Sequence, residues 1–175
     1  LCGSVSGKPA TDEVEGVTIE RRDGMVPSQI EQARAEEEDV YGTSRSMFEA
    51  FLEEHAIDVV QAHNLHLDFF DLSKALEDAC QERDVPCYLV IHNDIFLDRS
   101  EETSLRIVAE IDWDKLVPIS ETIRESLTTK LPEIPDEAWT VIMHGIDIER
   151  FRPADEQRRA ELKSSYGFEG RKVIL

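Results

Sequence analysis

Cysteine is scarce in this sequence, and its spacing excludes the usual thiol sites. The three cysteines, Cys2, Cys80 and Cys87, are an odd number and form no CxxC pair. A disulfide framework or a structural zinc site needs several cysteines at characteristic spacings. We therefore expect buried or incidental thiols in a protein from a reducing compartment.

Long hydrophobic runs are also absent. No apolar stretch approaches the roughly 18 residues that a membrane-spanning helix needs. The first residues, "LCGSVSGKP", have neither the charged start nor the apolar segment of a secretory signal. The sequence therefore predicts a cytoplasmic protein, which can still lie on a membrane surface.

Positive charge is in short supply. The chain has 19 basic and 38 acidic residues, which gives a net charge of -19. Nucleic-acid binding depends on cations that neutralise phosphates, so this balance argues against DNA or RNA as a partner. The length of 175 residues and a hydrophobic content of 41% fit one soluble domain, or one domain with part of another.

Several catalytic signatures are missing as well. The chain contains no GxGxxG, Walker, HExxH or GxSxG motif, so no dinucleotide fingerprint, P-loop, zinc-protease site or nucleophile elbow is indicated. Ser120 precedes a helical pattern, and capping that helix suits it better than a nucleophilic role.

Short runs rich in Val, Ile and Leu recur along the chain and predict strands. Their apolar residues are continuous rather than alternating, which is typical of parallel strands covered on both faces. The runs occupy 17–20, 57–62, 87–91, 115–120, 139–143 and 172–175. "LCGS" at the start resembles the tail of another strand.

Helical patterns lie between these runs, at 46–56, 68–82, 121–131 and 155–166. Ser46 and Glu49 fit a capping box, whereas Ser120 and Asp155 fit N-caps. The acidic segment 28–42 is predicted to be a solvated helix or a mobile loop. Because strands and helices alternate, the sequence predicts an α/β fold with a mainly parallel sheet and helices on both faces.

Three histidines directly follow predicted strands: His63, His92 and His144. Ligands of open parallel sheets bind beyond the carboxyl ends of the strands. A single histidine there is more often a hydrogen-bonded structural residue, but three at the same topological position favour a ligand-binding rim.

A metal site is the less supported alternative at this rim. His63 and His66 are three residues apart, and Asp68 and Asp94 are close in sequence. However, these residues precede helices that follow different strands, and their spacing matches no specific metal motif. We therefore expect no bound metal.

Four segments share their order and spacing with a known family. They are "IDVVQAHNLH", "VPCYLVIHND", "WDKLVPISETIRESL" and "TVIMHGIDIERFRP". Together they resemble retaining GT-B glycosyltransferases of family 4, and the last resembles the signature "VIPNGVDxxxFxP". The similarity is clear from about residue 56 to residue 175 and vaguer before it.

The resemblance implies a Rossmann-like fold and a domain division. Residues 1–153 would be the N-terminal acceptor domain without its first strand and helix. Residues 154–175 would be the linker and the start of the C-terminal donor-binding domain. Both ends of the chain look cut, so we expect a fragment. The glycine-rich loop and the donor-binding Arg, Lys and Glu residues of the family would lie outside it.

The resemblance also assigns roles at the rim. His92 would contact the donor sugar or the acceptor hydroxyl and is the candidate catalytic residue. His63 and Asn64 match a pair that lines the acceptor pocket, and Asn93 follows His92 at the same rim. Arg106 lies where some members hold an acceptor phosphate, although a surface helix arginine is an equal alternative.

Three further candidates come from the signature loop. Gly145 and Asp147 match the family motif, and the glycine is expected to fit a tight turn. His144 stands where the family usually has asparagine. Histidine tolerates unusual backbone angles, but the contact of the asparagine amide is lost.

The function implied by the resemblance is transfer of a hexose from a nucleotide sugar to an acceptor hydroxyl with retention of configuration. No metal or cofactor is expected, and residues 1–175 are expected to be inactive alone and able to self-associate. Two alternatives stay open: a non-catalytic Rossmann-like module that binds a sugar or nucleotide, and an interaction domain without a ligand.

Overall fold

A computed structural model of the protein describes residues 1–65, 69–93 and 101–172. It forms two compact units, Leu1–Met143 and His144–Leu175. The proposed domain boundary at residue 153 stays a prediction. No helix in the described stretches is both long and apolar enough to cross a bilayer.

The N-terminal strands form a small mixed sheet in the order β1-β3-β2. Its members are β1 (Cys2–Gly3), β2 (Thr11–Val14) and β3 (Val17–Arg22). β2 and β3 pair as an antiparallel hairpin in which Val14 faces Val17. Its two turn residues, Glu15 and Gly16, both have positive φ, which suits the right-handed twist of a two-residue hairpin. The sequence pattern predicts β1 and β3 but not β2.

Two helices follow this sheet: α1 (Pro27–Ala35) and α2 (Val40–His55). Much of the acidic segment 28–42 is therefore helical. α2 begins six residues earlier than predicted, and Asp39 Oδ1 caps it by accepting from the Gly42 N–H at 2.8 Å. The predicted capping box of Ser46 and Glu49 is wrong, because both residues lie inside α2.

The second sheet is entirely parallel, in the order β4-β5-β6. Its strands are β4 (Val60–His63), β5 (Cys87–Ile91) and β6 (Lys115–Pro118). In its register His63 pairs with Val90, and Ile91 pairs with Pro118. Helices flank this sheet, which confirms the predicted α/β class.

The helices of this part of the chain are α3 (Phe70–Gln81), α4 (Glu101–Glu110) and α5 (Glu121–Lys130), and α6 (Glu156–Ser165) lies in the second unit. The predicted N-caps are confirmed: Ser120 Oγ accepts from the Ile123 N–H at 3.2 Å, and Asp155 Oδ1 accepts from the Arg158 N–H at 2.7 Å. α4 was not predicted.

The predicted strand at 139–143 is only partly formed. Thr140 N–H donates to Leu116 O at 2.9 Å, and Ile142 N–H donates to Pro118 O at 3.2 Å, so the segment runs beside β6. It makes a single bridge there rather than a full ladder, and Met143 is 76% exposed. Of the predicted strand at 172–175, all but Lys172 lies outside the described residues.

The core of the first unit is built on β5. Leu89 and Ile91 are fully buried on this strand, and the α4 residue Ile107 and the α5 residue Leu127 are fully buried in the same cluster. A strand covered on both faces has no solvent face for polar residues, which explains its continuous apolar run. Cys80 and Cys87 are free and buried in this core, as the sequence analysis predicted.

Candidate functional site

Two of the three candidate histidines meet at the carboxyl edge of the parallel sheet. His63 is the last residue of β4, and His92 directly follows β5. Because the register places His63 beside Val90, the two imidazoles project from neighbouring strands. His63 Nδ1 lies 2.7 Å from His92 Nε2, and the ring centroids are 5.0 Å apart.

A hydrogen bond at this distance restricts the protonation states of the two imidazoles. A hydrogen bond between two imidazole nitrogens needs one donor and one acceptor. A doubly protonated ring has no acceptor nitrogen, so at least one of His63 and His92 is neutral while the bond exists. His63 is exposed and His92 is half-buried, which leaves the pair accessible to a ligand.

Asn64 stabilises the rim through hydrogen bonds of both its backbone and its side chain. Its φ is 58°, in the left-handed region that asparagine adopts more readily than most residues. The Asn64 N–H donates to Val90 O at 3.1 Å, and its Oδ1 accepts from the His92 N–H at 3.2 Å. Asn64 therefore ties the end of β4 to the residue that carries the second imidazole.

Asn93 lies next to His92 and is exposed at the same edge. His66, Asp68 and Asp94, which entered the metal alternative, lie outside the described residues. Within residues 1–65, 69–93 and 101–172, no group of three or more His, Cys, Asp or Glu side chains could hold a metal ion.

Arg106 extends from α4 toward the start of α3. Its guanidinium carbon lies 4.6 Å from the centre of the Phe70 ring, and its Nε and Nη2 donate to the Glu110 carboxylate at 2.8 and 3.0 Å. The hydrogen bonds to Glu110 raise the pKa of Arg106, and those from Arg106 lower the pKa of Glu110. These contacts fit a surface helix arginine, and its phosphate-binding role stays a prediction.

His144, Gly145 and Asp147 belong to the second unit. Asp147 Oδ1 accepts from the Glu149 and Arg150 N–H groups at 3.0 and 2.9 Å, which forms a side-chain-capped turn. Gly145 does not have positive φ, and a Cβ there would meet no atom within 4 Å. The backbone at this position therefore does not require glycine, contrary to the expected tight turn.

Two parts of the site are not predicted by the sequence pattern. One is the Asn64 bond to the His92 backbone, which a left-handed asparagine directly after a strand could have suggested. The other is the Phe70 ring beside Arg106, for which the sequence offers no local signal because the two residues are 36 positions apart.

A parallel three-stranded sheet flanked by helices is consistent with a Rossmann-like domain. Comparison with protein families is more specific. The family described as Glycosyltransferase Family 4 matches residues 12–150, which span β2 to the Asp147 turn. The chain therefore belongs to Glycosyltransferase Family 4. A search of curated proteins finds no match.

Proposed function

We propose that the chain is the acceptor-side domain of a retaining glycosyltransferase that moves a hexose from a nucleotide sugar to an acceptor hydroxyl. The observation that supports this most is the His63–His92 contact at 2.7 Å on the carboxyl edge of the sheet. Family membership gives the reaction class, and this edge is where open α/β sheets bind ligands.

His92 hydrogen-bonds the acceptor hydroxyl or the transferred sugar in this proposal, and His63 fixes the orientation of its ring. The bond from the anomeric carbon to the donor diphosphate breaks while the bond to the acceptor oxygen forms on the same face. The acceptor proton passes to the departing diphosphate, so His92 orients rather than deprotonates. An imidazole can donate or accept a hydrogen bond there.

The donor is bound mostly by a second domain in this proposal, so residues 1–175 alone transfer no sugar. Neither a metal nor a cofactor takes part. Arg106, Asn93 and the His144–Asp147 loop are proposed to contact the acceptor or the donor. A cytoplasmic location is part of this proposal, because three cysteines without CxxC spacing are typical of proteins from reducing compartments.

The test is a transfer assay on the complete enzyme with a panel of nucleotide sugars and hydroxyl acceptors. We expect His92→Ala to lower kcat by about tenfold to a hundredfold, because a hydrogen bond to a developing charge contributes about 1.5–3 kcal/mol. His55→Ala is the matched control, since His55 ends α2 and pairs with Glu20 at 2.9 Å, outside this rim.

Circular dichroism of each variant would show whether the fold survives the substitution. Unchanged turnover in a folded His92→Ala enzyme would remove the proposed role of His92. Robust transfer by residues 1–175 alone would contradict the need for a second domain. Ligand binding without any transfer by the complete protein would select the non-catalytic binding module instead.

A further inference from the structure

Ser73 is a polar residue in an apolar part of the core. It is the fourth residue of α3 and is 0% exposed. Leu72, Ala75 and Leu76, which are close to it in the helix, are buried in the same core. A hydroxyl moved from water into such surroundings costs free energy unless it forms a hydrogen bond. The partner of Ser73 Oγ therefore indicates why serine stands at this position.

The partner of Ser73 lies outside its own helix. A serine inside a helix commonly donates back to the carbonyl four residues earlier, as Ser46 Oγ does to Gly42 O at 3.0 Å in α2. In α3 the corresponding carbonyl, Phe69 O, accepts from the Ser73 N–H at 2.8 Å. Ser73 Oγ instead donates to Leu65 O at 2.8 Å. The hydroxyl therefore connects α3 to the segment that follows β4.

Leu65 belongs to the turn at the rim of the parallel sheet. It directly follows Asn64, whose N–H donates to Val90 O and whose Oδ1 accepts from the His92 N–H. The two residues after β4 are thus held on two sides, Asn64 by β5 and Leu65 by α3. A left-handed backbone such as that of Asn64 persists only where surrounding contacts maintain it. The bond from Ser73 is one of these contacts.

We propose that Ser73 is a positioning residue for the His63–His92 pair. Its hydroxyl holds Leu65 O, which fixes the path of the chain after the rim and keeps Asn64 Oδ1 on the His92 N–H. The His92 ring then stays within hydrogen-bonding distance of His63 Nδ1. Because Ser73 is fully buried, it acts through these residues and not on a substrate. The consequence for sugar transfer rests on the proposed function, whereas the consequence for the two imidazoles does not.

Ser104 is a matched control for the loss of a buried hydroxyl. It lies in α4 and is also 0% exposed, but its Oγ has no hydrogen-bond partner in the described stretches of the chain. Ser73→Ala and Ser104→Ala therefore remove the same atom from two buried helical positions, and only the first breaks a hydrogen bond between elements. Any effect common to both variants belongs to core packing.

The first test measures the imidazoles directly in the purified 175-residue chain. NMR of isotope-labelled histidine gives the chemical shifts of the ring nitrogens, which depend on protonation and hydrogen bonding. We expect the shifts of His63 Nδ1 and His92 Nε2 to move toward those of a free imidazole in Ser73→Ala, because the bond between them loosens. In Ser104→Ala they should match those of the original chain. His55, at the end of α2, is the internal reference and should not shift in either variant.

A conservative substitution should restore the pair. Ser73→Thr keeps the hydroxyl, so we expect ring-nitrogen shifts like those of the original chain, even where the added methyl group lowers stability. If Ser73→Thr does not fold, Ser73→Cys replaces it, because a thiol is a weak donor and should give shifts between those of the serine and alanine chains. Circular dichroism and urea unfolding show which variants keep the fold.

The second test uses the complete enzyme and separates positioning from general destabilisation. We expect Ser73→Ala to lower kcat about threefold to tenfold, with a smaller change in KM, because a misplaced His92 ring loses part of its hydrogen bond in the transition state. In a His92→Ala background, Ser73→Ala should lower kcat no further, since a residue that acts through His92 then has no ring to position. If the complete enzyme transfers no sugar, the proposed function fails, while the NMR result still decides the role of Ser73.

Three results would overturn the proposal. They are unchanged ring-nitrogen shifts in a folded Ser73→Ala chain, equal shift changes in Ser73→Ala and Ser104→Ala, and additive losses of kcat when Ser73→Ala and His92→Ala are combined. Each of them would assign the Ser73 hydroxyl to core stability alone.

Discussion

At the scale of residues, the site depends on backbone and side-chain hydrogen bonds at the end of β4. The His63–His92 bond holds two rings that the chain places 29 residues apart. Asn64 supports this His63–His92 bond, because its Oδ1 accepts a hydrogen bond from the His92 N–H. A positive φ for a residue with a side chain costs free energy, and such strain persists only where surrounding contacts maintain it.

Substitutions of Asn64 should separate its two contributions. Asn64→Gly keeps access to the left-handed conformation but removes the Oδ1 acceptor, so we expect a loss of about 1 kcal/mol in the free energy of unfolding. Asn64→Ala loses the acceptor and also strains the backbone, so we expect about 1 kcal/mol more. Urea unfolding measures both values, and equal losses for the two variants would contradict the role of backbone strain.

The same substitutions should also disturb His92. Without the Asn64 acceptor, the hydrogen bond from the His92 N–H to Asn64 Oδ1 is lost, and the His63–His92 bond should loosen. The imidazole resonances of both histidines in an NMR spectrum should shift in Asn64→Gly. Unchanged resonances would mean that Asn64 stabilises the strand end without positioning the ring.

At the scale of elements, α2 and α3 are joined by a polar network beside their apolar contact. Tyr41 Oη donates to Asp78 Oδ2 at 2.7 Å, and Lys74 Nζ donates to Asp78 Oδ1 at 2.7 Å. Burial alone would raise the pKa of Asp78, but the hydrogen bonds from Lys74 and Tyr41 outweigh it and hold that pKa below its ordinary value. Arg45 extends the network from α2 to Glu82.

The start of α2 gives a direct test of capping. Asp39→Ala should lower the free energy of unfolding by about 1 kcal/mol, because the Gly42 N–H loses its acceptor and no other side chain caps this turn among the described residues. Ser46→Ala should cost only a few tenths of a kcal/mol, since Ser46 lies inside the helix and bonds back to Gly42 O.

Chemical denaturation of the two variants would measure the difference. A larger loss for Ser46→Ala than for Asp39→Ala would restore the capping box that the sequence pattern suggested. The comparison is well matched, because both substitutions remove one polar side chain from the same helix and leave its apolar face intact.

At the scale of the whole molecule, the dominant feature is the excess of acidic residues. The net charge of -19 on 175 residues means that like charges lie near one another over much of the surface. Such self-repulsion destabilises the compact state and is screened by salt. The clusters of glutamate include Glu36, Glu37 and Glu38, which are all exposed after α1.

Salt should therefore stabilise this protein. Raising NaCl from about 10 mM to about 1 M shortens the Debye length from about 30 Å to about 3 Å. We expect Tm to rise by several degrees, since each kcal/mol shifts Tm by about 2–4 °C for a chain of this size. Replacing Glu36, Glu37 and Glu38 by glutamine should reduce the salt dependence. A Tm that falls with salt would indicate that the surface ion pairs outweigh the repulsion.

An element could be predicted from the sequence where its own residues show its burial, but not where contacts with another segment stabilise it. β5 was predictable because both of its faces are buried, so its sequence alone is apolar throughout. β2 has the sequence TDEV and is a strand because β3 pairs with it, which no local pattern shows. The cap of α2 was misplaced because Ser46 and Glu49 fit the motif as well as Asp39 does, and only the packed helix selects between them.

The sequence by itself determined the α/β class, the family and the placing of His63 and His92 at strand ends, because local composition shows which segments are buried and in what order they occur. The strand predicted before His144 did not form as a ladder. Only the tertiary structure decided that His63 Nδ1 meets His92 Nε2, that Asn64 holds the rim, and that Ser73 Oγ donates to Leu65 O. The reason is that strand register and the pairing of edges are set by contacts between distant segments, which no single segment encodes.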